Sequence, residues 1–481
     1  MASRKKAALE GLLQAVLEAP DADDARQVYA DALIEAGDPR GEFIQLQLSL
    51  EGATPSAKAT ELRARALRLF AEHREAWMAP FGSMVLWAGW KRGMIDSVRA
   101  HASNLAGNPD ALLAREPVTA LELRRVSNAE ATAFAKKKAF ARVRTLSVAE
   151  CGTSAATLLS GALPNLSELD LSEAGINDAT WTKLAALLPQ LTRLGLSHNA
   201  LSERSIDALL GNRRLSKLES LGLAGVVRGV TGAARVARNL ALPALRSLDL
   251  SHNDWNDADL RSLSKNGAFR KLTGLALREN PLTGAGAIDA LAPLTNLEEL
   301  DLASVELGAN GAAALAKTFK KLRRLELMQC NVGAGAAHLA KRAWPLEVLD
   351  LQYCELDARA CQALATADWP LRELNLWANS YGDKGLAALA KAPFTRTLRK
   401  LTLGYGEFGD AGVRALAAGN WPALEELVFQ GDPIGESGAK ALANSTTLPA
   451  LVRIKFERNG APKKALAPLR ERGVELDLKR N

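Results

Sequence analysis

The chain has 481 residues, 48% of them hydrophobic, and a formal net charge of +7. It is longer than the roughly 250–300 residues at which single cores stop growing, which excludes one ordinary globular core and favours several domains or repeats. No segment approaches the ~18 uninterrupted apolar residues of a membrane span, and the positive charge permits an anionic partner without requiring one.

Residues 1–90 lack the repeat that fills the rest of the chain and predict a small all-α domain. Amphipathic spacing predicts one helix from Ala7 to Ala19 and a second that Asp21 caps and Gly37 ends. A third begins at Pro39, and a fourth covers residues 61–77. The segment 87–93, which contains Trp87 and Trp90, predicts a turn, with both indoles buried where the two domains meet.

The segment from Val28 to Gln47 resembles the bacterial repeat-companion domain, a module that occurs beside repeat arrays. One departure is Ala32, where that family often has Trp. The resemblance implies a bacterial protein and carries no activity with it.

From residue 91 to residue 481 the pattern Leu-x-x-Leu-x-Leu recurs and predicts a solenoid. Successive units are separated by 23 residues, as between Val143 and Leu166, to 27, as between Leu218 and Leu245, inside the 20–29 range of leucine-rich repeats. About fourteen full units, with degenerate caps at both ends, begin at Val118, Val143, Leu166, Leu191, Leu218, Leu245, Leu272, Leu297, Leu322, Leu346, Leu371, Leu398, Leu424 and Leu451.

Each unit combines the periods of a strand and a helix. Leu300 and Leu302 alternate with acidic residues, which is typical of a strand with one buried face. Leu307, Ala312 and Leu315 then recur at helical spacing. We therefore predict an α/β solenoid with a curved parallel sheet inside and helices outside, in which stacking buries the leucines collectively.

Asn or Cys closes most strands, as the repeat template requires, and predicts a buried polar ladder. With the recurrent Gly-x-x-Gly that opens the helices, for example Gly308 and Gly311, the chain resembles the ribonuclease-inhibitor-like class of leucine-rich repeats. That resemblance implies the fold and leaves the function open, since the class includes inhibitors, immune sensors, GTPase regulators and effectors. The ladder positions are Asn199, Asn253, Asn280, Asn379, Asn459, Cys151, Cys330 and Cys354.

Neither a cofactor, a metal nor a catalytic site is predicted. Gly404, Gly406 and Gly409 formally match the G-x-G-x-x-G fingerprint, but they are in phase with the repeat and no acidic residue ends a following strand, so we interpret the match as accidental. His198 and His252 could bridge a metal, yet no third ligand is fixed by spacing. The four cysteines lack zinc or disulfide spacing, which favours a reducing, cytoplasmic location.

The outward positions of the later strands carry large side chains that the fold does not need. They form a candidate partner-binding surface, because Tyr and Trp are enriched in binding hot spots. The alternative is that these aromatic rings only pack on one another or on a loop. The candidate residues are Met328, Gln329, Gln352, Tyr353, Trp377, Tyr405 and Gln430.

The charged residues carry a weaker signal. One outward row, which we interpret as a solvated strand face, carries Asp170, Asp249, Asp301, Glu326 and Asp350, with Asp477 recurring at the end. Basic residues gather near both ends of the solenoid without interleaved aromatics, so nucleic acid is not the expected partner. The sequence thus predicts a non-enzymatic scaffold or adaptor that binds a protein on the concave face. The alternative is a regulator of a GTPase or another signalling enzyme, suggested by the family resemblance alone.

Overall fold

The computed structural model describes residues 2–53, 56–161, 163–185 and 188–478. The last three residues of the predicted solenoid, 479–481, lie outside this part of the chain. Contacts within the chain define two compact units. The first contains Met1–Ala53, Arg65–Val226 and Ala241–Leu245, and the second contains Thr54–Ala64, Val227–Leu240 and Arg246–Asn481.

Among the described residues, four helices precede the repeats, as predicted: α1 (Ala2–Glu18), α2 (Asp23–Glu35), α3 (Pro39–Leu50) and α4 (Ala57–Met78), the last contributing residues to both units. Asp38 caps α3 by accepting a hydrogen bond from the backbone N–H of Arg40 at 2.9 Å, with Pro39 in the first turn. The prediction that Asp21 caps α2 is wrong. The N-cap residue is Ala22, and the Asp21 carboxylate instead pairs with Arg144.

The predicted turn at 87–93 is in fact an antiparallel hairpin of β1 (Trp87–Lys91) and β2 (Met94–His101). Only Arg92 and Gly93 form the turn, and both have positive φ. The register of the hairpin shifts between Gly89 and Trp90, so strict alternation does not hold there, and the two tryptophans have different surroundings. Trp90 contacts an aromatic cluster of the N-terminal helices (Phe43, Phe70 and Trp77), whereas Trp87 is 53% exposed, which contradicts its expected burial.

The rest of the first unit alternates strands with short helices. Strands β2 to β7 pair in parallel in chain order. The elements are α5 (Ala102–Ala106), α6 (Asp110–Leu113), β3 (Ala120–Arg124), α7 (Asn128–Ala135), β4 (Thr145–Ala149), α8 (Ser154–Leu159), β5 (Glu168–Asp170), α9 (Asp178–Ala185), β6 (Arg193–Gly195), α10 (Glu203–Leu210) and β7 (Ser220–Gly222).

In the part of the second unit that the structure describes, ten strands, β8 to β17, pair in parallel in chain order. With the first unit, this confirms the predicted α/β leucine-rich-repeat architecture. The helices are α11 (Gly229–Asn239), α12 (Asp257–Leu263), α13 (Gly284–Leu291), α14 (Gly308–Thr318), α15 (Ala336–Ala340), α16 (Ala358–Leu364), α17 (Gly382–Leu389), α18 (Asp410–Ala417), α19 (Glu436–Ala443) and α20 (Ala467–Glu471). The strands are β8 (Ser247–Asp249), β9 (Gly274–Ala276), β10 (Glu299–Asp301), β11 (Arg324–Glu326), β12 (Val348–Asp350), β13 (Glu373–Asn375), β14 (Lys400–Thr402), β15 (Glu426–Gln430), β16 (Arg453–Glu457) and β17 (Glu475–Asp477).

The polar ladder of Asn and Cys is present beneath the loops that follow the strands. Asn379 accepts hydrogen bonds from the backbone N–H groups of Cys354 and Leu356, both at 3.0 Å, and its amide donates to the carbonyl of Leu351 at 2.8 Å. The Cys354 thiol donates to the Leu327 carbonyl at 2.8 Å. Burial raises the pKa of this thiol to about 11, so the cysteine acts as a structural residue here.

Candidate partner-binding surface

The predicted site residues lie at the ends of the strands rather than along them. In the repeats that begin at Leu245 to Leu451 the second buried residue of the motif, usually a leucine, is followed by two loop positions, which we call the first and second loop positions. For Leu351 these are Gln352 and Tyr353. Trp377 holds the first loop position of the next repeat. Gln430 alone of the predicted site residues falls inside a strand, because β15 is longer.

The aromatic residues of the site form a continuous row across three repeats. The ring centroids of Tyr353 and Trp377 are 4.9 Å apart at 79°, and those of Trp377 and Tyr405 are 5.1 Å apart at 82°. Both contacts are edge-to-face, a geometry that aromatic pairs favour. Tyr353 remains 45% exposed and Tyr405 37% exposed. These three residues, named here the aromatic row, therefore contact one another and still present ring surface to solvent.

The Trp377 and Tyr405 rings each cover a glycine. In both cases the glycine occupies the same loop position one repeat later. A Cβ atom on Gly404 would lie 2.7 Å from Trp377 Cδ1, and one on Gly431 would lie 2.5 Å from Tyr405 Cε1. Any larger residue would displace the rings. We did not predict this role for the glycines, although Gly404 follows Trp377, and Gly431 follows Tyr405, by one repeat length in the sequence.

The backbone at the second loop position is left-handed. Tyr353 has φ 49° and Tyr405 φ 46°, values that are uncommon for residues other than glycine. His252 (φ 55°), Gln329 (φ 57°) and Ala378 (φ 55°) adopt the same conformation in other repeats. The conformation is therefore a property of the repeat and not by itself a sign of function. It fixes the direction in which Tyr353 and Tyr405 leave the loop.

Beside the aromatic row lies an acidic row of carboxylates on adjacent strands, formed by Asp301, Glu326 and Asp350 in register. These residues are half-buried, so our interpretation of a solvated strand face is wrong for them. Burial, reinforced by the neighbouring carboxylates, raises the pKa of both Glu326 and Asp350. The acidic row thus carries negative charge at some electrostatic cost.

Two arginines partly neutralise the acidic row. Arg278 Nη2 lies 2.7 Å from an oxygen of Asp301, and Arg324 Nη1 lies 3.0 Å from one of Glu326. With Asp249 they line a depression of about 300 Å³ on the open face of the sheet. Asp350 instead accepts hydrogen bonds from neutral groups, among them the Asn375 amide at 3.0 Å. Its charge stays available to an approaching cation.

The other candidate motifs have structural roles. The N–H groups of Gly409 and Gly412, where a phosphate would bind in a dinucleotide fingerprint, donate to the Asp383 carboxylate at 2.8 and 2.7 Å. His252 Nδ1 lies 3.1 Å from a Glu279 oxygen. Within the described ranges, no three His, Cys, Asp or Glu side chains are arranged to hold a metal ion. None of the helices described there is long and apolar enough to cross a membrane.

The parallel strands, the helices between them and the buried ladder together define a leucine-rich-repeat protein. Residues 242–264, 294–316 and 396–417 match the family model for the Leucine Rich repeat. The pig (Sus scrofa) ribonuclease inhibitor is 30% identical over 311 residues, which are 58% of this chain and 67% of that protein. The chain belongs to the ribonuclease-inhibitor-like family of leucine-rich-repeat proteins.

Two further comparisons cover different shares of the proteins concerned. A putative adenylate cyclase regulatory protein from Trypanosoma equiperdum is 29% identical over 178 residues, which are 37% of this chain. The chain spans about a quarter of that relative's length, 26%. Among solved structures, an internalin from Listeria monocytogenes aligns with a TM-score of 0.34 at 16% identity, covering 78% of this chain and 93% of the internalin.

Proposed function

We propose that this protein is a scaffold or adaptor that binds a protein partner on the open face of its second unit. The observation that carries the proposal is the aromatic row, whose rings stand above a core that is already complete without them. The leucines beneath it, such as Leu351 and Leu376, are fully buried. Large exposed aromatic side chains held in fixed positions are typical of binding hot spots.

The chemistry around the aromatic row favours a partner segment with both apolar and basic side chains. Rings from Tyr353 and Tyr405 offer apolar and cation–π contacts. Within the acidic row, burial raises the pKa of Glu326 and Asp350, so a cation placed near these two carboxylates would stabilise their charged form. The remaining predicted contacts, Met328, Gln329, Gln352 and Gln430, would add adaptable polar and thioether groups.

The same proposal includes binding without catalysis, a cytoplasmic location and a division of the chain at residue 90. The helical segment 1–90 is the repeat-companion-like domain and 91–481 the solenoid. Four free, buried cysteines accord with a reducing compartment. The names of the two sequence relatives, an inhibitor and a regulator, accord with a protein that acts by binding another.

Regulation of a signalling enzyme is a second candidate, because the trypanosome relative is named as a regulator of adenylate cyclase. This second candidate function would use the same surface as the first, and the two differ only in the identity of the partner. An activity assay on a captured enzyme, with and without saturating protein, distinguishes the two. An enzyme whose rate changes supports regulation, whereas an unchanged rate supports an adaptor.

The proposal is tested by capture of partners with the tagged full-length chain. A double variant, W377A with Y405A, removes two rings of the aromatic row, and W87A serves as the matched control because it removes an exposed indole from the first unit. Losing even one hot-spot side chain costs about 2 kcal/mol or more, so the double variant should weaken binding of the purified partner about 30-fold or more. Equal affinity for the double variant and W87A would refute the proposed site.

A further inference from the structure

One ladder position in the second unit carries a carboxylic acid where the repeat normally places an amide or a thiol. Asp432 occupies the position of Asn379 two repeats earlier and of Asn459 one repeat later. It is 2% exposed. Its Oδ1 accepts a hydrogen bond from the backbone N–H of Gly406 at 2.8 Å, which is the task that Oδ1 performs in Asn379.

The second carboxyl oxygen of Asp432 stands where an asparagine has its NH₂ group. In Asn379 that group donates to the carbonyls of Leu351 and Leu376, at 2.8 and 3.0 Å. In Asp432 the Oδ2 atom has no hydrogen-bond partner among the described residues. An ionised oxygen can only accept, whereas a protonated one can donate to a carbonyl as the amide does.

The loop that Asp432 supports is the one that carries Tyr405. Gly406, its hydrogen-bond partner, follows Tyr405 directly, and the N–H of Tyr405 donates to the carbonyl of Gln430 at 2.8 Å. Gly431, which precedes Asp432, lies under the Tyr405 ring. The segment 430–432 therefore fixes this ring through two hydrogen bonds and one close contact.

We propose that Asp432 is a positioning residue that carries a proton in the folded chain, and that loss of this proton loosens the loop 404–408 and disorders Tyr405 at the aromatic row. Burial raises the pKa of Asp432 to about 6, which places the transition in an accessible range. The effect on partner binding rests on the proposed function. The effects on stability and on the order of the aromatic rings are independent of the proposed function.

The ionisable groups of the loops around Asp432 are Tyr381, Glu407 and Arg458, and of these Tyr381 interacts with its charge. Tyr381, from the preceding repeats, has a buried hydroxyl, and burial together with the Asp432 charge raises its pKa well above 10. Glu407, from the supported loop, is exposed and accepts a hydrogen bond from Ser380 Oγ at 2.9 Å. Arg458, from the following repeat, is exposed and donates to Tyr405 Oη at 3.0 Å.

The sign of the pH effect follows from this pKa. The unfolded aspartic acid titrates near pH 4, so between about pH 4 and pH 6 the folded chain holds one proton more than the unfolded chain. Stability from this group is complete below about pH 4 and is lost as the pH rises through about 6. Relative to a residue that does not ionise, the folding equilibrium constant should fall by up to roughly 100-fold by pH 8.

The test compares the full-length chain with D432N, which restores the ladder amide, and with N379D, which introduces a second carboxyl at the equivalent position. Thermal unfolding between pH 5 and pH 8 should show a fall in Tm for the parent chain, a smaller fall for D432N and a larger one for N379D. The exposure of Trp377, taken as the difference in acrylamide quenching between parent and W377F, should rise with pH in the parent and stay constant in D432N.

The same pH dependence in parent and D432N, in both Tm and quenching, would overturn the proposal. Affinity for a purified partner captured as above should fall more from pH 5 to pH 8 in the parent than in D432N, where only the other carboxylates of the surface titrate. If no partner is found while Tm and quenching behave as expected, the proposed function fails and the role of the Asp432 proton stands.

Discussion

A methyl group on Gly404 probes how the aromatic row is held. Gly404 occupies the first loop position, which is alanine at Ala303, so the backbone there accepts a side chain. The surroundings of Gly404 differ from those of Ala303, because the Trp377 ring of the preceding repeat packs over the glycine. The new methyl would lie 2.7 Å from Trp377 Cδ1 and 2.7 Å from the Gln430 carbonyl oxygen, well inside an ordinary carbon contact of about 3.5 Å.

Relief of both contacts needs displacements of several tenths of an ångström by two constrained groups or by the backbone between them. The Gln430 carbonyl is held as the acceptor for Tyr405, and the Trp377 ring is held between Tyr353 and Tyr405. We expect G404A to lower the free energy of unfolding by about 1–3 kcal/mol, the range for overpacking. It should also weaken partner binding, because the ring moves out of place.

Urea unfolding of the parent, G404A, W377A and G404A combined with W377A measures this coupling as a double-mutant cycle. The cost of G404A should be clearly smaller in the W377A background, where the ring that it strikes is absent. Near-ultraviolet circular dichroism should report the altered indole environment in G404A. An equal cost of G404A in both backgrounds would refute the claim that the glycine makes room for the ring.

Two other predictions concern the ladder. Asn280 accepts from the N–H groups of Asn253 and Trp255, and its amide donates to the carbonyls of Leu250, Leu277 and Arg278. N280L should therefore leave buried polar groups unpaired and cost about 2–5 kcal/mol in urea unfolding; a loss under 1 kcal/mol would contradict a structural ladder. Burial raises the pKa of the Cys330 thiol to about 12, so iodoacetamide at pH 8 should alkylate it only after unfolding, as mass spectrometry can show; rapid alkylation of the folded chain would contradict the burial of this thiol.

The architecture of the repeats could be predicted because every stacked unit must bury the same positions, and the sequence pattern shows which positions these are. Leu300 and Leu302 must face inward in every unit, and Asn280 must satisfy loop amides, so the same residue types return in phase. The hairpin at Trp87 was not predicted, because Arg92-Gly93 is a turn signal outside the repeat phase. Its neighbours could equally well have formed a loop.

The candidate site was only partly predictable. The sequence identified Tyr353, Trp377 and Tyr405 as large residues that the fold does not need. It could not place their rings in contact, since that depends on the left-handed loop position and on side-chain rotamers. Gly404 and Gly431 could have been recognised as the residues that make room, but their neighbours at equivalent positions are known only after the repeats are aligned in space.

The central claim is that the partner contacts the open face at the aromatic row, and site-specific photocrosslinking tests it most directly. Benzoylphenylalanine is placed at Tyr353, on the row, or at Arg359, an exposed residue of α16 in the same repeat. The account predicts a crosslinked partner from position 353 that is lost when Tyr405→Ala is added, and none from position 359. A partner crosslinked from position 359 and not from 353 would contradict it.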